Sequence, residues 1–466
     1  MKLRHIAAAA ALAAAGSPSF AVTTFNFHLS GSSALQKVVA KAIANNCSSL
    51  TTYSGLLGSP AAGVADNANG QSQTLYVCTV SATSTWGAAY QNNILNIFLN
   101  TQGSAYGVFP VAYGLSIPFI DPASCSGSTC NNVTSAVPDA GLSDLEPTMF
   151  NDLSNHPVDP SVGGTYNAAH PAPAGTVYPT LFASFTKVTP SLFKSSGIVA
   201  AQTFGLAVND NLLAALQADQ GLSSSQIPTV SSSAFETIYS PGYSQALGNW
   251  TPLLPNGSGN VNNQVNICAR LPGSGTRASA QAFFLQAPFS PFAQSFATAA
   301  NDNTGADTTI SQTIGQNNSG TYEIGEYDNS GGVTGCLTTA NGSGGYAIGL
   351  LSTDRAAGSV ASGGPGYTFV NLDGSVPNTT AAKIGKYQWV YEAFYQVSTH
   401  ASDQPFAIAF GNSFKTPANI NALGAPSTNG VMATVNNCTA GYSGVNAVCT
   451  HVTRGGNSKA ILQYAQ

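Results

Sequence analysis

At 466 residues the chain is longer than one ordinary domain usually is, so two lobes or domains are expected. Only 7% of its residues are charged, with 14 Lys+Arg against 19 Asp+Glu and a formal net charge of −5, far below the roughly 25% of an average soluble protein. That balance leaves no basic patch for nucleic acid and no polybasic run for anionic lipid. Small polar residues and 48 glycines replace the charge, a composition that suits an extracellular setting.

In chain order, Met1-Lys2-Leu3-Arg4-His5 is a short basic region and residues 6–16 form an Ala-rich apolar run. Small residues around Ser19 and Ala21 predict a cut before Val22, the pattern of a bacterial-type secretory signal over residues 1–21. No cysteine follows that cut, so a lipid anchor is not expected. No later stretch reaches the ~18 apolar residues of a membrane helix. The expectation is an exported, soluble protein, periplasmic or extracellular and without membrane insertion. Phe25, Phe27 and Leu29 then alternate with polar residues, predicting a strand. After Gly31-Ser32-Ser33, the residues Leu35, Val38, Val39, Ala42 and Ile43 fall on one helical stripe, with Ser32 or Ser33 where an N-cap belongs. Further on, "VPDAGLSDLEP" places Asp144 between strand and loop. In "NQVNICARLPGSGTRASAQAFFLQ" a strand, a Gly-Ser-Gly-Thr turn and a helix start follow one another. Two strand–turn–helix units with hydroxyls at the turn indicate an α/β architecture. Residues 54–73, 155–175 and 253–263 are rich in Gly, Ser, Asn and Pro and read as surface insertions.

The eight cysteines are Cys47, Cys78, Cys125, Cys130, Cys268, Cys336, Cys438 and Cys449. An even count in an exported chain favours four disulfides, and nearest-neighbour pairing gives 47–78, 125–130, 268–336 and 438–449. There is no Cys-x-x-Cys and the six histidines lack ligand spacing, so neither a metal nor another cofactor is expected.

A helix N-terminus offers unpaired N–H groups and the positive end of a dipole. Glycine lets a ligand approach that backbone, and Ser274 and Thr276 add hydroxyls, which would make an anion cradle; the alternative is a plain capped turn with Arg270 as a solvated surface charge. Arg270 adds a permanently charged fork able to grip two oxygens of an oxyanion. Asp144 repels an anion unless that anion has a proton to give it, because an ionised carboxylate only accepts. It therefore favours hydrogen phosphate over fully ionised sulfate.

Taken in order, these stretches resemble the phosphate-binding, PstS-like subfamily of periplasmic substrate-binding proteins. "LSGSSALQ" is similar to its opening strand–turn–helix, "AGLSDLEP" to its Gly-x-Ser-Asp loop, and "RLPGSGT" to its Arg-x-Asp-Gly-Ser-Gly-Thr segment. "TFGLAVND", "FETIYSPGYSQALGNW", "GGYAIGLLS" and "VNLDGSVPN…GKYQWVYEAFYQV" extend the resemblance over most of residues 25–397. The resemblance implies a two-lobed periplasmic-binding-protein-like (type II) α/β fold with an interlobe cleft. Lobe I would hold residues 22–200, lobe II residues 201–392, and residues 393–466 would return to lobe I and form a tail, with the hinge near Ala201 and Phe394. Ser33 and the Ala34 N–H would donate to phosphate from lobe I, and Asp144 would accept the phosphate proton. Arg270, Ser274, the Gly275 N–H and Thr276 would donate from lobe II. Pro272 stands where the family has an acid that steadies the arginine, so Arg270 needs another orienting partner. The family's second serine loop of lobe I is not identified; "CSGSTC" and "SATSTWG" are both candidates.

The function implied is non-covalent binding of inorganic phosphate by an exported monomer, with arsenate as competitor and an ABC transporter permease as partner for uptake. Two alternatives come from other classes. One is a secreted or surface-displayed protein with a structural or adhesive role and no transporter. The other is a phosphatase, which needs an activated nucleophile, and no histidine lies near Ser33, Ser274 or Thr276 in the sequence. Catalysis is not expected.

Overall fold

In a computed structural model, the structure describes residues 22–55, 73–151, 187–240, 249–286, 303–304, 322–327, 330–422, 430–438 and 441–465. The predicted export signal over residues 1–21 lies outside them, as do most of the first two predicted insertions. The chain runs β1 (Thr24–Gly31), α1 (Gln36–Asn46), β2 (Cys47–Gly55), β3 (Gln73–Val80), β4 (Ile94–Asn100), a 3₁₀ turn (Ser104–Gly107), α2 (Phe109–Tyr113), β5 (Ile117–Ile120), β6 (Cys125–Ser126), β7 (Thr129–Cys130), β8 (Val133–Ala136) and β9 (Ala140–Ser143). There follow the 17-residue β10 (Phe193–Asn209), α3 (Asp210–Asp219), β11 (Thr229–Val230), α4 (Ser232–Tyr239), β12 (Val265–Arg270), α5 (Gly275–Phe284), β13 (Asn303–Thr304), β14 (Tyr322–Tyr327), α6 (Ser330–Gly342) and β15 (Tyr346–Ser352). The described chain closes with β16 (Tyr367–Phe369), β17 (Asn371–Leu372), α7 (Thr379–Lys383), β18 (Val390–Ser398), α8 (Gln404–Phe414), α9 (Pro417–Asn421), β19 (Val431–Met432), β20 (Val452–Thr453) and β21 (Gln463–Tyr464).

Fifteen of these strands form one curled sheet, and β10 makes it two-lobed. Its first part pairs antiparallel with β18, from Phe193↔Ser398 to Thr203↔Val390, inside a first half ordered β18-β9-β1-β4-β3-β2. From Phe204 onward it pairs with β15, inside a second half ordered β15-β12-β14-β13. In the first half β1 runs parallel to β4 and β9; in the second β12 runs parallel to β14 and β15.

One large core runs across both halves, from Phe98 and Phe109 to Leu206 and Ile267, and a second lies within the first half. The stripe Leu35, Val38, Val39, Ala42 and Ile43 of α1 is buried on Phe27 and Leu29 of β1. Phe27 also meets Phe406 and Phe410 of α8 with ring centroids 5.0 and 4.8 Å apart. A fully buried Leu or Phe contributes about 1.5–3 kcal/mol, so this stripe alone fixes α1 against the sheet. In the second half Phe284 of α5 packs on Phe235 and Trp389, at 4.7 and 5.0 Å. Four disulfides, Cys47–Cys78, Cys125–Cys130, Cys268–Cys336 and Cys438–Cys449, join nearest neighbours. The third ties α6 to β12, the strand that ends in Arg270.

Candidate functional site

Parallel strands deliver their loops to one edge, and in open α/β sheets that edge is where ligands bind. Here β1 ends at Gly31 beside Ser32, β4 leads to Ser104, β9 ends just before Asp144, and β12 ends at Arg270. The two halves meet along this edge. The Ala105 N–H from the first half donates to the Gly273 carbonyl of the second at 2.9 Å.

Close approach of the backbone depends on glycine. Gly31 has φ +122, and a Cβ there would fall 2.0 Å from the Leu142 carbonyl oxygen. Its freedom lets β1 turn sharply, so that the Ser32 N–H reaches Leu142 O at 3.0 Å and the Ser32 hydroxyl meets Asp144.

Asp144 is the centre of the arrangement. Its Oδ1 accepts from Ser32 Oγ and its Oδ2 from Ser104 Oγ at 3.2 Å, while its own N–H donates to Ser104 Oγ at 3.1 Å. Burial raises its carboxyl from 3.8 to about 6, opposed by the Ser32 and Ser104 hydroxyls and by the charge of Arg270. Asp354, just past β15, pushes the same way as burial. Asp354 is itself buried and held up by that burial, with Ser352 Oγ donating to it at 2.5 Å. At neutral pH Asp144 is thus an ionised acceptor in a dry setting, opposite a cation.

That cation is 3% exposed. Arg270 donates from Nε to the Tyr327 carbonyl at 3.2 Å and from Nη1 to the Ser330 hydroxyl at 3.3 Å, where β14 ends and α6 begins. These groups orient the guanidinium in a loop whose second residue is Pro272. Arg277, buried in the first turn of α5, donates to the Arg270 carbonyl at 3.1 Å. Ser274 occupies the N-cap of α5 but makes no capping bond, and both Ser274 and Thr276 are buried. Gly275 lies directly on the first half: a Cβ there would stand 2.3 Å from Asp144 Oδ2 and 2.4 Å from Ser104 Oγ.

The predicted site residues therefore divide. Asp144, Arg270, Gly275 and the turn carrying Ser274 and Thr276 come to one edge. In the first turn Ser32, rather than Ser33, meets Asp144; its hydroxyl also accepts from the Ala34 N–H at 3.1 Å. Ser33 is half-buried, and its carbonyl accepts from the Gln36 N–H at 3.2 Å. Neither serine caps α1, whose N-cap position is Leu35. Of the two candidate serine loops, "CSGSTC" lies on the exposed β6–β7 hairpin, and in "SATSTWG" Ser84 donates to Asn46 at 2.9 Å. The serine that reaches Asp144 is Ser104, in "TQGSAYG" after β4. A Gly-Ser pair following a strand, the grammar already used at Gly31-Ser32, was its one signal.

Two α/β halves that share a long strand and meet at a buried acid, an arginine and hydroxyls define a two-lobed α/β architecture. No family model matches the chain, and no curated protein matches it. Among solved structures it is similar to a candidate phosphate ABC transporter substrate-binding protein with bound phosphate from Clostridium perfringens, at 12% identity and TM-score 0.41, covering 88% of this chain and 99% of that one. It is similar also to an ABC-type phosphate transport receptor from Vibrio cholerae, at 11% identity and TM-score 0.38, with 85% and 98% covered. PstS from Borrelia burgdorferi matches at 9% identity and TM-score 0.34, with 86% and 97% covered.

Proposed function

We propose that this is an exported solute-binding protein that takes inorganic phosphate, non-covalently, between its two halves. The observation that carries the reading is the buried Asp144 set among Ser32, Ser104, Gly275 and the charge of Arg270. A tetrahedral oxyanion that keeps a proton suits both members of that pair. The arginine and the α5 N-terminus supply donors for its charged oxygens, and the aspartate accepts its proton. Fully ionised sulfate has no proton to offer and meets a repelling carboxylate. Arsenate shares the shape and protonation of phosphate and competes with it.

Binding is favoured over hydrolysis by what the hydroxyls touch. Ser32 and Ser104 bond to a carboxylate already opposed by an arginine. His28, on the strand leading to Ser32, pairs with Asp139 at 3.4 Å and stacks on Phe98. Delivery to an ABC permease would follow from the same reading in a periplasmic setting.

The test is calorimetry on phosphate-stripped protein. Phosphate should bind, arsenate should displace it and sulfate should not. Arg270→Ala and Asp144→Ala should each weaken binding by roughly a hundredfold or more, since each leaves a buried charge without its counterpart. Unaltered protein that binds no phosphate would end this reading.

A further inference from the structure

The chain beyond α9 crosses between the halves at several points. At its base, β19 pairs with β10 at Ala201 and Gln202, and the Gly430 carbonyl accepts from Thr203 N at 2.8 Å and Thr203 Oγ1 at 3.0 Å. This is one residue before β10 leaves β18 for β15, so the tail adds a third strand where the two halves join. Cys438–Cys449 then folds the segment back, with Ala433 N donating to Val448 O at 3.1 Å and Thr450 N to Ala433 O at 2.8 Å. Both cysteines are buried in the core of the first half.

Beyond this anchor the tail reaches the second half. His451 N donates to Lys383 O at 2.8 Å, and Tyr464 OH donates to Ile384 O at 2.5 Å. Arg454 donates from Nη2 to Gln388 O at 3.2 Å, just ahead of β18, and from Nε to Val390 O at 2.9 Å, the first residue of β18 in the first half. Its guanidinium also lies 4.3 Å from the Tyr391 ring centroid. The receiving stretch is bonded to α5, since Trp389 Nε1 donates to Ser279 Oγ at 3.2 Å. The tail then returns to the first half at a sensitive place. Ser458 Oγ accepts from the N–H of Glu146, two residues past Asp144, at 3.0 Å. Between these contacts the buried Glu392, opposite Ala201 on β18, accepts from Arg454 N at 3.2 Å, Gly456 N at 2.7 Å and Thr453 Oγ1.

A segment bonded to both halves and to the strand between them resists their rotation. We propose that the described tail, residues 430–438 and 441–464, is an interlobe strap that holds the two halves closed, so that they open only when the strap undocks. The strap acts whatever the cleft holds, and its test needs no ligand.

The Ala105 amide reports opening, because its acceptor, Gly273 O, belongs to the other half. Hydrogen exchange is followed there and at Ile97, in the middle of β4 and buried in the first core, using the full chain with its disulfides intact. Arg454→Ala and Ser458→Ala, both outside the cores, should each speed exchange at Ala105 about tenfold, as expected for losing one or two hydrogen bonds from a local opening. Exchange at Ile97 should not change. Glu392→Gln keeps the shape of its side chain, weakens the acceptor and should act in the same direction. Unchanged exchange at Ala105 in the folded variants overturns the proposal. An equal acceleration at Ile97 also overturns it, because the tail would then support overall stability without governing the cleft.

Discussion

Burial lifts the Asp144 carboxyl from 3.8 to about 6 against the pull of Ser32, Ser104 and Arg270, and that sets the sign of its effect on stability. Between those two values the folded protein keeps a proton that the unfolded chain has released. Stability therefore falls as pH rises through the window, and the cost persists above it, at about 3 kcal/mol. Asp144→Asn removes this slope. In denaturant melts of ligand-free protein, the variant should gain on the parent between pH 4 and pH 6 and keep that gain at pH 7. A parallel pH dependence in the two proteins would show that Asp144 does not titrate there. The same substitution supplies an amide that can donate, so discrimination against sulfate should relax. Ser330 is the other informative position, since with the Tyr327 carbonyl it orients Arg270 in a loop holding Pro272. It positions the arginine through one hydrogen bond, so Ser330→Ala should weaken phosphate binding about fivefold, near 1 kcal/mol. Ser330→Thr should restore most of that loss.

At the scale of elements, the N-terminal turn of α5 is where the halves touch, and Gly275 makes the contact. An added methyl would fall within 2.4 Å of both the Asp144 carboxylate and the Ser104 hydroxyl, which are buried and bonded to each other. Gly275→Ala should leave the helix intact, because alanine favours helix over glycine, yet wedge the halves apart. Phosphate affinity should drop more than about tenfold with an unchanged circular dichroism spectrum; unaltered affinity would show that the halves need not meet there. This turn was readable beforehand, since an apolar strand, a Gly-Ser-Gly-Thr and an Ala-rich helix each carry a local signal. The stripe of α1 was readable for the same reason. Ser104 was not, because its partner Asp144 is forty residues away and "QGSAYG" has no periodicity of its own. The Cys438–Cys449 pair of the tail was readable, but its pairing with β10 was not: β19 is two residues long, and its place comes from bonds to Thr203 and Gln202. The mistaken N-cap at Ser32 or Ser33 has a different origin: α1 begins at Gln36, with Leu35 at its N-cap position, later than the hydroxyls suggested.

Across the whole molecule, the two halves also touch at a second place, away from the turn of α5. Lys37, in the first turn of α1, donates from Nζ to the Asp354 carbonyl at 2.6 Å and lies 3.8 Å from Asp354 Oδ2. Helix α1 belongs to the first half and Asp354 follows β15 of the second, so opening must break this contact. The two ends differ in environment, with the Lys37 side chain 54% exposed and that of Asp354 only 6%. Water and salt reach the ammonium, which limits the pair to the modest worth of a surface ion pair, at most about 1 kcal/mol. Removing it should therefore act on the lifetime of the closed state more than on the fold. Lys37→Ala should raise the phosphate dissociation rate about threefold to fivefold at low ionic strength, with a smaller change in the melting midpoint. Lys37→Arg should keep most of the effect. Because the contact is screened, parent and Lys37→Ala rates should converge as salt approaches about 1 M, where the Debye length is near 3 Å. Stopped-flow release at several salt concentrations measures this directly. A difference between the two proteins that persists at high salt would assign the contact to the carbonyl hydrogen bond alone. No difference at any salt would mean that this contact does not hold the halves together, leaving that task to the turn of α5 and the strap.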